Sequence, residues 1–196
     1  MDDVYQTLKY KDQILEIVYD TFDQDSPRDW DNLGILLCTH SNYELGDKKN
    51  LTADQIQTEI KEADPALCLP IYIYDHSGIS LSTKLVYPYD DQWDAGQIGF
   101  IYVTKQKIKE EYKVKRIDSR LLQKVKEILQ SEIETYNLYL SGSVFGFTLS
   151  KLKKCDLNKD HKEIIDSCYG FYGSDIETNG IKDHVKDFDK FVEVTE

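Results

Sequence analysis

The sequence predicts an α+β fold with a mainly antiparallel sheet, on three observations. Short apolar segments patterned at period two recur along the chain, bounded by Gly, Pro, Asn and Asp. These segments do not alternate strictly with helical ones. One long stretch, about 118–141, carries Leu121, Val125, Ile128, Leu129, Ile133, Tyr136 and Leu140 at spacings of three and four, so a long amphipathic helix must pack one stripe on the sheet.

The first strand is expected at 13–20, where Leu15, Ile17 and Tyr19 share one face and Ile14 and Val18 the other. An Asp-rich segment, 21–32, leads to an apolar run at 33–38, read as a second strand paired with the first. Thr52 and Gln55 match a capping box, so a helix is expected at about 53–63, ended by Pro65. Residues 67–74 are rich in β-branched and aromatic side chains and read as a buried strand, with Pro70 near its start or on an edge. Asp75-His76-Ser77-Gly78 reads as a turn into 79–83, and 96–103 as a further strand. Residues 105–112 are polar and helical in pattern, and Asp118 or Ser119 is placed to cap the long helix, with Gly142 just past its end. Residues 143–152 and 164–171 read as a β-hairpin. Ile181, Val185, Phe188 and Val192 at helical spacing predict a C-terminal helix.

With 196 residues, of which 40% are hydrophobic, the chain is long enough to bury a core without metal or disulfide staples, and a single domain over 1–196 is expected, with 174–196 as a peripheral helical tail. No apolar run reaches the length of a membrane span, and Met1-Asp2-Asp3-Val4-Tyr5 lacks the basic and apolar segments of a secretory signal, so a cytoplasmic location in a bacterial host is expected. Cys38, Cys68, Cys155 and Cys168 are scattered, with no Cys-x-x-Cys pair, and read as buried thiols rather than zinc ligands. The formal charge of −12 disfavours direct nucleic-acid binding and suits a partner protein with a basic groove.

Four clusters carry candidate chemistry. Asp75 beside His76, at a strand end, could set an imidazole tautomer for acid–base work, or simply close a turn. Asp90, Asp91, Trp93, Asp94 and Gln97 combine carboxylates with an aromatic platform, suited to a hard cation or a small polar ligand, or to holding a loop around a core tryptophan. Asp20, Asp23, Asp25, Asp29 and Asp31 surround Trp30 and the single Arg28; they form an acidic strip, or else Ser26-Pro27-Arg28 makes a short helical turn with Trp30 buried beneath it. Asp156, Asn158, Asp160 and Glu163 depart from a calcium loop, because the central Gly is missing and the last carboxylate comes early. The phosphate-cradling Gly-rich run, the Gly-x-Ser-x-Gly elbow and the His-Glu-x-x-His helix are absent, so no cofactor or metal is expected.

Three segments in order, SPRDWDNLG at 26–34, YIYDHSG at 72–78 and WDAGQIGFIYV at 93–103, resemble a family of phage and mobile-element proteins from Gram-positive bacteria. Glu134-Thr135-Tyr136, Val144-Phe145-Gly146-Phe147 and DSCYGFYG at 166–173 extend the resemblance over about 13–173. The insertion YPYDDQ at 87–92 departs from the family pattern, and the tail after 173 lies outside it. The family has no settled activity, so the resemblance implies a genomic setting rather than a reaction.

Two functional expectations follow. The first is a non-enzymatic inhibitor of a host defence nuclease or effector, of the anti-CRISPR or anti-restriction type, binding through an acidic face that includes Asp23, Asp25, Asp29, Asp90, Asp91 and Asp94. The second is a small hydrolase or nucleotide-modifying enzyme that gathers His76, Asp75, Asp31, Asp94 and Gln97 around one pocket. A ligand-binding or structural module, in which the same residues only fix loops, is the third.

Overall fold

The computed structural model describes residues 3–21, 25–40, 42–75, 78–84, 95–154 and 160–194. In chain order the elements are β1 (Val4–Tyr10), β2 (Gln13–Tyr19), β3 (Ile35–Cys38), α1 (Ala53–Ala63), β4 (Pro65–Asp75), β5 (Ile79–Ser82), β6 (Ala95–Thr104), α2 (Lys105–Tyr112), α3 (Ser119–Leu140), β7 (Val144–Lys154), β8 (Asp160–Tyr172), α4 (Ile181–His184) and β9 (Val192–Glu193), with single-turn 3-10 helices at Pro27–Asp29 and Phe188–Lys190. Both sheets pair antiparallel throughout, which is the α+β class the patterning predicts. Among the described residues no helix is long and apolar enough to cross a membrane. The chain divides into two compact units: Met1–Gln24 with Gly142–Glu196, and Asp25–Ser141.

The first unit is a five-stranded sheet in the order β8-β7-β2-β1-β9. Leu15 and Ile17 from β2 and Phe145 and Phe147 from β7 alternate onto one face, where Ile181, Val185, Phe188 and Phe191 of the tail cover them. The expected C-terminal helix is therefore corrected. Ile181 does start a helical turn, but Val185 is already extended (φ −103°, ψ 113°) and ends it, Asp187 takes a left-handed φ of 60°, and Val192 pairs with Lys9 instead of continuing a stripe. The tail acts as an apolar strap across the sheet, and β9 covers the outer edge of β1. At the opposite edge β8 carries two extra residues, Ile165 and Gly170, so the strand is bulged twice where an open ladder would invite another chain.

The second unit has three layers. Its sheet, ordered β3-β6-β4-β5, sends alternate residues to opposite faces. Leu36, Ile71, Ile73, Ile101 and Val103 meet Val125, Leu129 and Ile133 of α3 on one side. Leu37, Cys68 and Tyr102 meet Ile56 and Ile60 of α1 on the other. β3 pairs with β6 and not with β2, so the pairing expected between the 13–20 and 33–38 strands is overturned; β2 lies between β1 and β7. Pro70 sits on β4 before the four residues that pair with β5, so its missing N–H interrupts no ladder on that side.

The helices form where their ends are chemically marked. Thr52 Oγ1 accepts from the Gln55 amide while Gln55 Oε1 accepts from the Thr52 amide, the reciprocal box read in the sequence. Asp118 Oδ1 accepts from the Leu121 amide at 2.7 Å and starts α3. Near the other end of α3, Asn137 pairs with the backbone of the edge strand β5, donating to Leu81 O at 2.6 Å and accepting from Leu81 N at 2.7 Å. That side-chain amide takes the place of a further strand.

Candidate acidic interface

The turn at Pro27–Asp29 is built by local chemistry. Ser26 Oγ accepts from the Arg28 amide at 3.2 Å, Pro27 supplies the fixed φ of a first helical position, and Asn32 Nδ2 donates to Pro27 O at 2.8 Å and to Trp30 O at 3.1 Å. These bonds close residues 26–32 into one rigid loop.

A buried ion network ties this loop to α3. The Arg28 side chain is 6% exposed, and its Nε and Nη2 reach Asp47 Oδ1 and Oδ2, each at 2.8 Å. Nη1 donates to Glu132 Oε2 at 3.2 Å and Nη2 to Gly34 O at 2.9 Å. Glu132 also accepts from the Leu33 and Gly34 amides, and Asp47 from the Leu36 amide at 2.7 Å. Burial alone would lower the Arg28 pKa; hydrogen bonding and charge from Asp47 and Glu132 reverse that, and it stands above its ordinary value. Such a network specifies one arrangement more than it adds stability, because desolvating three charges costs much of what their attraction returns. Gly34 completes it: a Cβ there would sit 2.5 Å from Leu129 Cδ2 and 2.8 Å from Ile101, so only hydrogen lets the loop reach the sheet.

What the loop displays outward is acidic. Asp25, Asp29 and Asp31 are exposed, and Trp30 between them is 50% exposed, so the expected burial of Trp30 beneath the turn is corrected. The core below the turn is filled by Leu33, which leaves the indole at the surface beside a cleft of about 180 Å³ lined by Pro27, Asn32, Ile128, Ser131 and Thr135. Asp31 holds one cation, Lys107 Nζ at 3.2 Å.

The other sequence candidates do not gather here. Asp75 ends β4 opposite Ile79, and Gln97 lies opposite Tyr72, both at the Ala95 end of β6; Asp31 lies by Lys107, beyond the Thr104 end. Ten residues of strand separate those ends by about 30 Å, so one pocket holding both Asp31 and Asp75 is not what this unit builds. Gln97 Nε2 donates to Gly99 O at 3.4 Å, a local contact within β6. Asp23, His76, Asp90, Asp91, Trp93, Asp94, Asp156 and Asn158 lie outside the described residues. In the first unit, Asp20 accepts from the Gly170 amide at 3.0 Å and Glu163 pairs with Lys153, each holding a strand position. Among the described residues no three His, Cys, Asp or Glu side chains converge to hold a metal ion.

Glu132 and Asp47 are the residues that reading the sequence missed. Both were ordinary surface acids by composition, and only the partnership with Arg28, across 104 and 19 residues, gives them a role. Cys38 is buried beside this network, and burial first, then the Asp47 charge, pushes its thiol up to about 12, so it carries no nucleophile at neutral pH.

Comparison with protein-family models, with curated proteins and with solved structures returned no match.

Proposed function

We propose that this chain is a phage or mobile-element accessory protein that inhibits a host defence nuclease or effector, of the anti-CRISPR or anti-restriction type, by laying an acidic strip into a basic groove. The observation that carries the reading is the display of Asp25, Asp29 and Asp31 around a half-exposed Trp30, on a loop fixed from beneath by Arg28, Asp47 and Glu132. A rigid aromatic anchor ringed by charge loses little entropy on binding, and its field steers a basic partner into register. Asp23, Asp90, Asp91 and Asp94, expected on this surface from the sequence, lie outside the described residues and do not carry the proposal, and the genomic setting rests on the motif resemblance.

The experiment is capture of partners by the tagged full chain from lysate of a host that carries its defence systems, at low and at raised salt, with the bound proteins named by mass spectrometry. The reading expects a near-stoichiometric nuclease or effector whose recovery falls as salt rises. Beads that stay clean, or a partner indifferent to salt, would overturn it.

A further inference from the structure

The chain's negative total conceals a region of the opposite sign. Residues 105–126 hold nine of its 24 Lys and Arg residues against three acids, Glu110, Glu111 and Asp118, a net of +6 within a chain of −12. All of it belongs to the second unit, on α2, the connection after it and the first turns of α3. Lys105 and Lys107 are held by Asp64 and Asp31. Lys109, Lys113, Lys115, Arg116, Arg120, Lys124 and Lys126 are exposed, and none has an ion-pair partner among the described residues.

The fold brings these cations, except Lys126 on the other flank of the buried Val125, to one corner. Lys109 lies in the last turn of α2 and Lys113 caps its end, while Arg120 and Lys124, four apart on α3, share a helix face. Lys113 takes a left-handed φ of 52° and turns the chain, which puts Lys115 and Arg116 between the two pairs. Lys124 Nζ lies 5.2 Å from the centre of the Tyr112 ring, tying the start of α3 to the end of α2. The interspersed acids are partly engaged: Asp118 caps α3 and Glu110 accepts from Gln106.

We infer that this corner binds the phosphate backbone of a nucleic acid. A protein partner would call for an apolar centre and few lysines, since Lys is depleted from protein interfaces and aromatic anchors are enriched. Here the cations are mostly Lys, and none of the exposed large hydrophobic side chains lies within 105–126. Phosphates at regular spacing match flexible single charges on a rigid corner, and counterion release drives the contact. The chain-wide charge argues against nucleic acid only as an average: beyond a Debye length of roughly 10 Å acidic groups are screened, and Asp31 and Asp64, which lie within it, are paired with Lys107 and Lys105. The corner meets the Trp30 strip at the Lys107–Asp31 pair, but the proposal rests on its cations without an ion-pair partner among the described residues and not on that pair, so either proposal can fail alone.

The test is fluorescence anisotropy of labelled duplex DNA and single-stranded RNA oligonucleotides against the full chain, with polyglutamate as competitor. Binding to either oligonucleotide is expected, weakening on the order of a hundredfold between about 50 mM and about 200 mM salt if about four phosphates are engaged. The variant Lys113→Glu/Arg116→Glu/Arg120→Glu, checked for an unchanged melting temperature, is expected to lose at least tenfold. Lys61→Glu/Lys186→Glu, which adds acidity elsewhere, is expected to lose far less. Absence of binding at low salt, an equal loss in the control variant, or displacement by polyglutamate at matched charge concentration would overturn the proposal, the last in favour of an acidic protein partner.

Discussion

Arg28 and Asp47 face each other as a fork, Nε to Oδ1 and Nη2 to Oδ2, both at 2.8 Å. The fork decides where the acidic strip stands. Asp47 is held to β3 through the Leu36 amide and carbonyl, and Arg28 is the centre of the Pro27–Asp29 turn, so the strand fixes the height at which Asp29, Trp30 and Asp31 leave the surface.

Arg28→Ala is expected to destabilise the protein by about 3–5 kcal/mol, because it leaves two carboxylates facing a buried gap. Arg28→Lys should recover only a small part, since one ammonium cannot span both oxygens of Asp47, Glu132 and the Gly34 carbonyl. Urea unfolding measures both. A loss below about 1 kcal/mol for the alanine variant would mean the network is replaceable by water.

Gly34→Ala should cost about 1–3 kcal/mol through the collision with Leu129 and Ile101. Leu129 is fully buried, so Leu129→Ala is itself costly, yet the double variant should be less destabilised than the sum, because the smaller side chain makes room for the new methyl. Additive losses would contradict the collision.

Stability is expected to fall on the alkaline side. Burial first, then hydrogen bonding to Glu59, pushes the Tyr102 phenol up to about 12, and burial does the same to Tyr136 and to the Cys38 thiol. In the unfolded chain these groups release protons near their ordinary values of 9 for the thiol and 10 for the phenols. The folded pKa values are the higher ones, so their contribution is complete below the unfolded values and is lost as pH climbs towards the folded ones. Urea midpoints from about pH 8 to about pH 11.5 should decline steeply over the upper part of that range, and a flat profile would place these side chains in water.

The elements read most clearly in the sequence are those whose signals are local. Thr52 with Gln55, and Asp118 before its apolar stripe, mark α1 and α3 because a cap and a helical period lie within one segment. The strands at 13–20 and 33–38 are real, but their partners are not encoded in spacing, and β3 joins β6 across more than sixty residues. β1 went unread although Leu8 and Tyr10 alternate with Thr7 and Lys9, because a single short alternation at a terminus is a weak signal. The tail misled for a physical reason: Ile181, Val185 and Phe188 satisfy a helical period, yet one helical turn, an extended Val185 and one 3-10 turn deliver the same three side chains to the sheet. Of the site, the carboxylates were legible as exposed acids. Trp30 was not, since its burial depends on whether Leu33 already fills the core. The basic corner was hidden by summing charge over the whole chain.

The most direct test of the central claim is calorimetric titration of the captured partner with wild type, with Trp30→Ala and with Asp25→Lys/Asp29→Lys/Asp31→Lys, each confirmed folded by its melting temperature. The surface pair between Asp31 and Lys107 is exposed, so its loss should hardly change stability. The account predicts that the triple variant abolishes measurable binding and that Trp30→Ala weakens it by about 2 kcal/mol or more, as an anchor should. Wild-type affinity in the triple variant would show that the acidic strip is not the surface through which this protein acts.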